Sequence, residues 1–118
     1  MKVHVEDIST VKKILHVEIP EEDVTREVEK AYGTLKNQAS IKGFRPGKVP
    51  RALLERRFGN EVYADVSGQL IQSSYSEALR ETELMPLGEP AIDRQDLEKG
   101  RPYHYSAVSY THLTLPTN

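Results

Sequence analysis

No cysteine occurs among the 118 residues. A disulfide framework and a thiolate zinc site are therefore both excluded, and a reducing, cytoplasmic setting is expected. Tryptophan is also absent, and phenylalanine occurs only twice. Nowhere do 18 consecutive apolar residues appear, which leaves no helix able to span a membrane. The opening MKVHVEDIST has no apolar run of signal-peptide length. The length fits one domain of ordinary size, large enough to bury a modest core without staples. A hydrophobic fraction of 37% is low, which favours an elongated or helix-rich domain with much wet surface.

Excess charge is nearly absent as well. The net value of −2 would by itself argue against a nucleic-acid partner, but the distribution is uneven. Between Lys42 and Arg57 lie Lys42, Arg45, Lys48, Arg51, Arg56 and Arg57 against one acid, Glu55. That stretch carries +5, so −7 falls on the rest of the chain. A basic patch on an acidic body favours one oriented contact with a polyanion. The plainer reading is a solvated basic helix face.

Hydrophobic periodicity places the elements. Val3 and Val5 alternate with polar neighbours. Val11, Leu15, Val17 and Ile19 do so after the turn-forming segment Asp7 to Thr10, which predicts an antiparallel hairpin. Pro20 ends the second strand, and Glu21, Glu22 and Asp23 supply the negative charge that a helix N-terminus favours. Val24, Val28, Ala31, Leu35 and Ala39 follow at helical spacing, so a helix is predicted over about 21–40. Gly33, inside it, marks either a close packing point or nothing. A loop covers Ile41 to Pro50. Pro50 suits the first turn of a short helix, RALLERRF, that stops at Gly59. Asn60 then caps a second long helix reaching about Glu83, whose small residues Ser73, Ser74 and Ala78 let another element approach closely. Strands are predicted over Ala91 to Leu97 and from Tyr103 to Val108. The order β-β-α-loop-α-α-β-β gives an α+β domain with a mostly antiparallel sheet packed with two long helices.

The last ten residues, Ser109 to Asn118, carry none of the chain's charged residues and include three threonines. They resemble translated adapter read-through, so the domain is expected to end at 108 and 109–118 to be a non-native tail. The alternative is a continued strand, since Thr, Tyr and Leu suit a sheet.

Catalytic and metal chemistry find no support in the residues. Gly43 to Lys48 lacks the spacing and the Ser or Thr of a phosphate-binding P-loop. His4, His16, His104 and His112 show no i, i+4 pairing, and polar sheet-face histidines are the expectation. Ser73, Ser74 and Ser76 lie in a helical pattern without a nucleophile elbow. Tyr103 and Tyr105 share a strand face and read as core, and no aromatic-rich RNA-binding strand is present. The residues describe a binding module, with no catalytic residue, metal or cofactor expected.

GFRPGKVP, Gly43 to Pro50, is what remains. Phe44 sits between Gly43 and Arg45 in a loop expected at the surface. Aromatic and Arg residues are the usual interface anchors. Lys42, Arg45 and Lys48 would steer an anionic partner. Pro46 and Pro50 stiffen a loop in which Gly43 and Gly47 permit positive φ. The alternative is that Phe44 folds back over the helix ends. The stretch resembles the signature loop of the trigger factor family of ribosome-associated chaperones, G-F-R-x-G-x-x-P. Gly43, Phe44, Arg45, Gly47 and Pro50 match it, with Pro46 in the variable place. The hairpin, the acid-headed helix, RRFG, the long helix and the closing strand fit that family's N-terminal domain over about residues 1–108.

The resemblance implies docking beside the exit tunnel of the large ribosomal subunit, against an exit-tunnel ribosomal protein and nearby ribosomal RNA. The family's full-length members act on nascent polypeptides and carry a prolyl isomerase domain and a C-terminal domain. Neither is seen here, so no isomerase activity is expected of these residues. Phe44 becomes the anchor, Arg45 the partner of a carboxylate or phosphate, and Lys48 added charge. Gly43 and Gly47 set the backbone between Pro46 and Pro50, and Lys42, Arg51, Arg56 and Arg57 form a supporting basic patch. The competing reading is an independent RNA-binding module built on the same loop and short helix.

Overall fold

A computed structural model describes residues 1–111. The chain opens as β1 (Lys2–Asp7) and β2 (Lys12–Ile19), antiparallel in a register that sets Lys2 opposite Glu18 and Asp7 opposite Lys13. Ser9 makes the turn, its Oγ accepting the backbone N–H of Lys12 at 3.0 Å. After Pro20 comes α1 (Glu21–Gln38), headed by the three acids. Then α2 runs over Arg51–Thr82, followed by β3 (Ala91–Arg94) and β4 (Tyr103–Tyr110). The sheet order is β1-β2-β4-β3, every pair antiparallel. This is the expected α+β arrangement.

One helix replaces the two predicted across Gly59. The structure carries α2 unbroken through Gly59 and Asn60. Leu54 and Val62 are buried and Phe58 half-buried. This apolar spacing of four continues across the glycine and outweighs the roughly 1 kcal/mol that glycine costs in a helix. A Cβ on Gly59 would meet only the Tyr32 hydroxyl, at an ordinary 3.6 Å. Gly59→Ala is therefore expected to stabilise the protein by about 1 kcal/mol, read as a higher denaturant midpoint with unchanged m. A helix end at Gly59 requires the opposite sign. A Cβ on Gly33 would meet nothing within 4 Å among the described residues, so Gly33 is no packing point between them.

The core lies between α2 and one face of the sheet and extends between the helices. Leu15, Val17 and Ile19 of β2 and Tyr103, Tyr105 and Ala107 of β4 point inward. Against them α2 sets Ser67, Ile71, Ser74 and Ala78. Of the small residues Ser73, Ser74 and Ala78, the last two admit the sheet, whereas Ser73 is exposed and bonds only the Gln69 carbonyl of its own helix. The buried serines also bond to the sheet. Ser74 Oγ lies 2.5 Å from the Tyr105 hydroxyl and 2.5 Å from the Leu70 carbonyl. It donates to the carbonyl and accepts from the tyrosine. Ser67 Oγ is 2.7 Å from the Tyr103 hydroxyl, which donates to the Gln95 carbonyl at 3.0 Å. Tyr75 and Ser109 make a third such pair at 2.7 Å. Each buried hydroxyl is thus satisfied, which removes the penalty of desolvating it.

The opposite sheet face is open to solvent. It carries His4 and His16, stacked with ring centroids 6.0 Å apart, and His104 beside Glu18. His16 reaches Ser106 through Nδ1 and Glu6 through Nε2. His112 lies outside the described residues. The closing strand does not stop at the expected boundary of 108. Ser109 is buried in β4, Tyr110 ends the strand, and Thr111 bridges to Pro86. The rest of the expected tail, 112–118, lies outside the described residues.

α1 packs along α2, and the sheet is covered by α2. The segment that follows α1 joins it to α2 in a body measuring 67 × 24 × 19 Å.

A basic loop between the helices as the candidate functional site

Residues 39–50 join the helices, and their composition dictates their path. Ala39 closes α1 by donating its N–H to the Leu35 carbonyl at 2.7 Å. Two turns follow. Phe44 N–H bonds the Ile41 carbonyl at 3.1 Å, and Lys48 N–H bonds the Arg45 carbonyl at 2.9 Å. The third residue of each turn has positive φ, 93° at Gly43 and 83° at Gly47. That is the type II requirement, and Pro46 sits at the second position, where proline is favoured. Within the second turn Gly47 N–H bonds the Lys36 carbonyl at 3.0 Å, which ties the loop to the end of α1. Ile41 and Val49, the feet of the loop, are buried in the core.

The residues between the feet face solvent. Phe44 is 42% exposed, so the ring does not fold back as a cap. Lys42, Arg45 and Lys48 are exposed, and among the described residues none of them makes an ion pair. Arg56 and Arg57 on α2 are exposed and equally unpaired among the described residues. Pro50 precedes α2 with no side-chain cap, and no acid stands in the first turn. The positive end of the helix dipole therefore adds to the loop cations instead of being balanced. The arrangement can bind: a rigid, positively charged, aromatic-tipped projection.

Arg51 is placed differently from the other cations. Its guanidinium holds Glu29 of α1 with two bonds, 2.8 and 3.0 Å, and Glu55 with a third at 3.0 Å. The same group lies over the Tyr32 ring, 4.0 Å from its centroid. Lys99, from the β3–β4 turn, also bonds Glu29. Side-chain hydrogen bonds from Arg51 and then Lys99 hold the Glu29 carboxyl down at about 2, against burial that pushes it up. Glu29, in turn, raises Arg51 above its ordinary value. Sequence reasoning missed Glu29, Tyr32 and Lys99. Glu29 is 22 residues from Arg51, Lys99 is 70 from Glu29, and no spacing rule links them.

Because the folded carboxyl of Glu29 titrates below its unfolded value, its contribution is complete above about pH 4.5 and is lost as pH falls towards 2. Glu29→Gln is expected to cost no more than about 1 kcal/mol at pH 7, since solvent screens a half-exposed pair. In paired thermal melts that deficit is expected to close as the pH is lowered from 4.5 to 2. A deficit that persists unchanged at pH 2 would contradict the ionic origin.

The comparisons agree on one family. Residues 1–111 match the family model described as Bacterial trigger factor protein (TF). A trigger factor from Desulfosudis oleivorans is 50% identical over 108 residues, 92% of this chain and 24% of that protein. One from Desulfatibacillum aliphaticivorans is 46% identical over 108 residues, again 92% of this chain and 25% of the relative. The chain thus spans about a quarter of the length of the curated relatives it matches. Among solved structures, a trigger factor chaperone described for promiscuous substrate recognition in folding and assembly has a TM-score of 0.65 and 18% identity. The match covers 96% of this chain and 26% of that one, a likeness of fold.

Proposed function

The chain belongs to the bacterial trigger factor family, and from that membership we propose that residues 1–108 dock a chaperone onto the large ribosomal subunit through the loop 42–50. The matched region is the family's N-terminal domain and not its isomerase domain, so no isomerase step is assigned to it. In the full-length protein the docking would bring the chaperone to nascent polypeptides at the exit tunnel, in the cytoplasm and partly ribosome-bound.

One observation carries the reading: an exposed aromatic and three cations that make no ion pair among the described residues stand on two glycine-dependent turns between the helices. A preorganised loop loses little entropy on docking. Phe44 supplies the anchor, best fitted to an apolar recess on an exit-tunnel ribosomal protein. Arg45 pairs with a carboxylate or phosphate, and Lys42 and Lys48 add attraction to ribosomal RNA. The net −7 outside the basic stretch opposes indiscriminate RNA binding.

The test is cosedimentation at physiological salt, with free ribosomal RNA as competitor. Docking predicts saturable binding to large subunits that excess free RNA does not displace. Binding to many RNAs with steep salt dependence would overturn it in favour of an RNA-binding module.

A further inference from the structure

The polar cluster at the base of the loop is the densest among the described residues, and docking as proposed does not use it. Its geometry is specific. A guanidinium bonded twice to one carboxylate, once to a second and laid over a ring is held in every direction. A lysine at the same place can offer neither the two-pronged bond nor the planar stack. The cluster joins three parts of the fold: Glu29 and Tyr32 on α1, Arg51 and Glu55 in the first two turns of α2, and Lys99 on the β3–β4 turn.

We infer that Arg51 is a positioning residue for the loop: it fixes the start of α2 against α1 and thereby sets how Phe44, Arg45 and Lys48 are presented. The inference rests on the docking reading for its functional consequence. The chain leaves little slack. Gly47 is bonded back to Lys36, Val49 is buried, and Arg51 is clamped two residues later. Three residues span at most about 10 Å, so the orientation of Lys48 and the second turn follows from where Arg51 is held. Without the clamp, the first turn of α2 has no side-chain cap and no acid of its own to steady it.

Two substitutions separate positioning from direct charge contact. Arg51→Lys keeps the positive charge. If Arg51 acts only as charge towards the ribosome, binding is unchanged; if it positions, binding weakens on the order of tenfold, a loss of about 1.4 kcal/mol. Glu29→Gln removes a negative charge from a surface meeting RNA. Long-range electrostatics alone would tighten binding, whereas loss of the clamp weakens it. In both variants the amides of Phe44, Gly47 and Lys48 are expected to exchange hydrogen faster, while those of β2 and β4 keep their protection. Tyr105→Phe, a perturbation at the sheet, is the control for stability and is expected to bind ribosomes as the parent does.

Arg51→Lys binding like the parent, or Glu29→Gln binding more tightly, overturns the inference. If the loop itself proves irrelevant to ribosome binding, the docking reading fails separately. The exchange measurement then still decides whether Arg51 orders the loop: faster loop exchange supports the clamp, and unchanged exchange overturns it.

Discussion

Replacing Phe44, Arg45 and Lys48 together by alanine is expected to abolish cosedimentation with ribosomes while leaving the fold intact. An aromatic anchor in an interface costs about 2 kcal/mol or more when truncated, and each 1.4 kcal/mol is about tenfold in affinity. With two cations removed as well, binding is expected to weaken by at least about 100-fold. The three side chains are exposed, and Arg45 and Lys48 make no ion pair among the described residues. Stability is therefore expected to stay within about 0.5 kcal/mol of the parent.

The single variants divide the effect. Phe44→Ala is expected to weaken binding equally at low and high salt, since an apolar contact releases no counterions. Lys48→Ala is expected to weaken it mainly at low salt and to flatten the salt dependence by slightly less than one unit of slope. A triple variant that pellets like the parent would remove the loop from the interface.

Much of this site is legible in the sequence because short-range rules govern it. The pairs Lys42-Gly43 and Pro46-Gly47 announce turns that need positive φ at the glycine, and the structure has one at each. The acids at 21–23 head α1, and alternation in β2 and β4 separates core from surface. Two features escape a sequence reading, for different reasons. The break expected at Gly59 gives weight to one residue's propensity over the apolar spacing of Leu54, Phe58 and Val62, which crosses it. There the signal is present, and the spacing is the stronger half of it. The role of Arg51 has no local signal at all. A charge count treats Arg51 and Lys48 alike, yet one is clamped by carboxylates and the other faces solvent, and only the tertiary meeting of α1, α2 and the β3–β4 turn distinguishes them. Fold class follows from periodicity. Which cations remain free to meet a partner follows from packing.

The largest effect on stability is expected at Tyr105 of β4, which is 3% exposed against α2. Tyr105→Ala removes a buried ring from the contact between α2 and β4, and truncations of that size cost about 3–5 kcal/mol. Against a total of about 5–15 kcal/mol for a domain, this is a large share, and the melting temperature is expected to fall by more than about 12 °C.

Tyr105→Phe isolates the hydroxyl. Ser74 keeps its bond to the Leu70 carbonyl, so no buried donor is orphaned and the cost is expected to be about 1 kcal/mol. Alkaline pH adds a second readout. Burial raises the Tyr105 hydroxyl above its ordinary 10, partly offset by its bond to Ser74. The folded state then holds this proton to higher pH than the unfolded chain does. Its contribution is complete below about pH 10 and is lost as pH rises further. Tyr32, raised mainly by burial in the same direction, keeps part of that alkaline decline in place, so the Phe variant is expected to show a shallower decline and not a flat one. If Phe and Ala at 105 destabilise equally, the Tyr105–Ser74 bond and not the ring holds the sheet to α2, and the packing account of this interface is wrong.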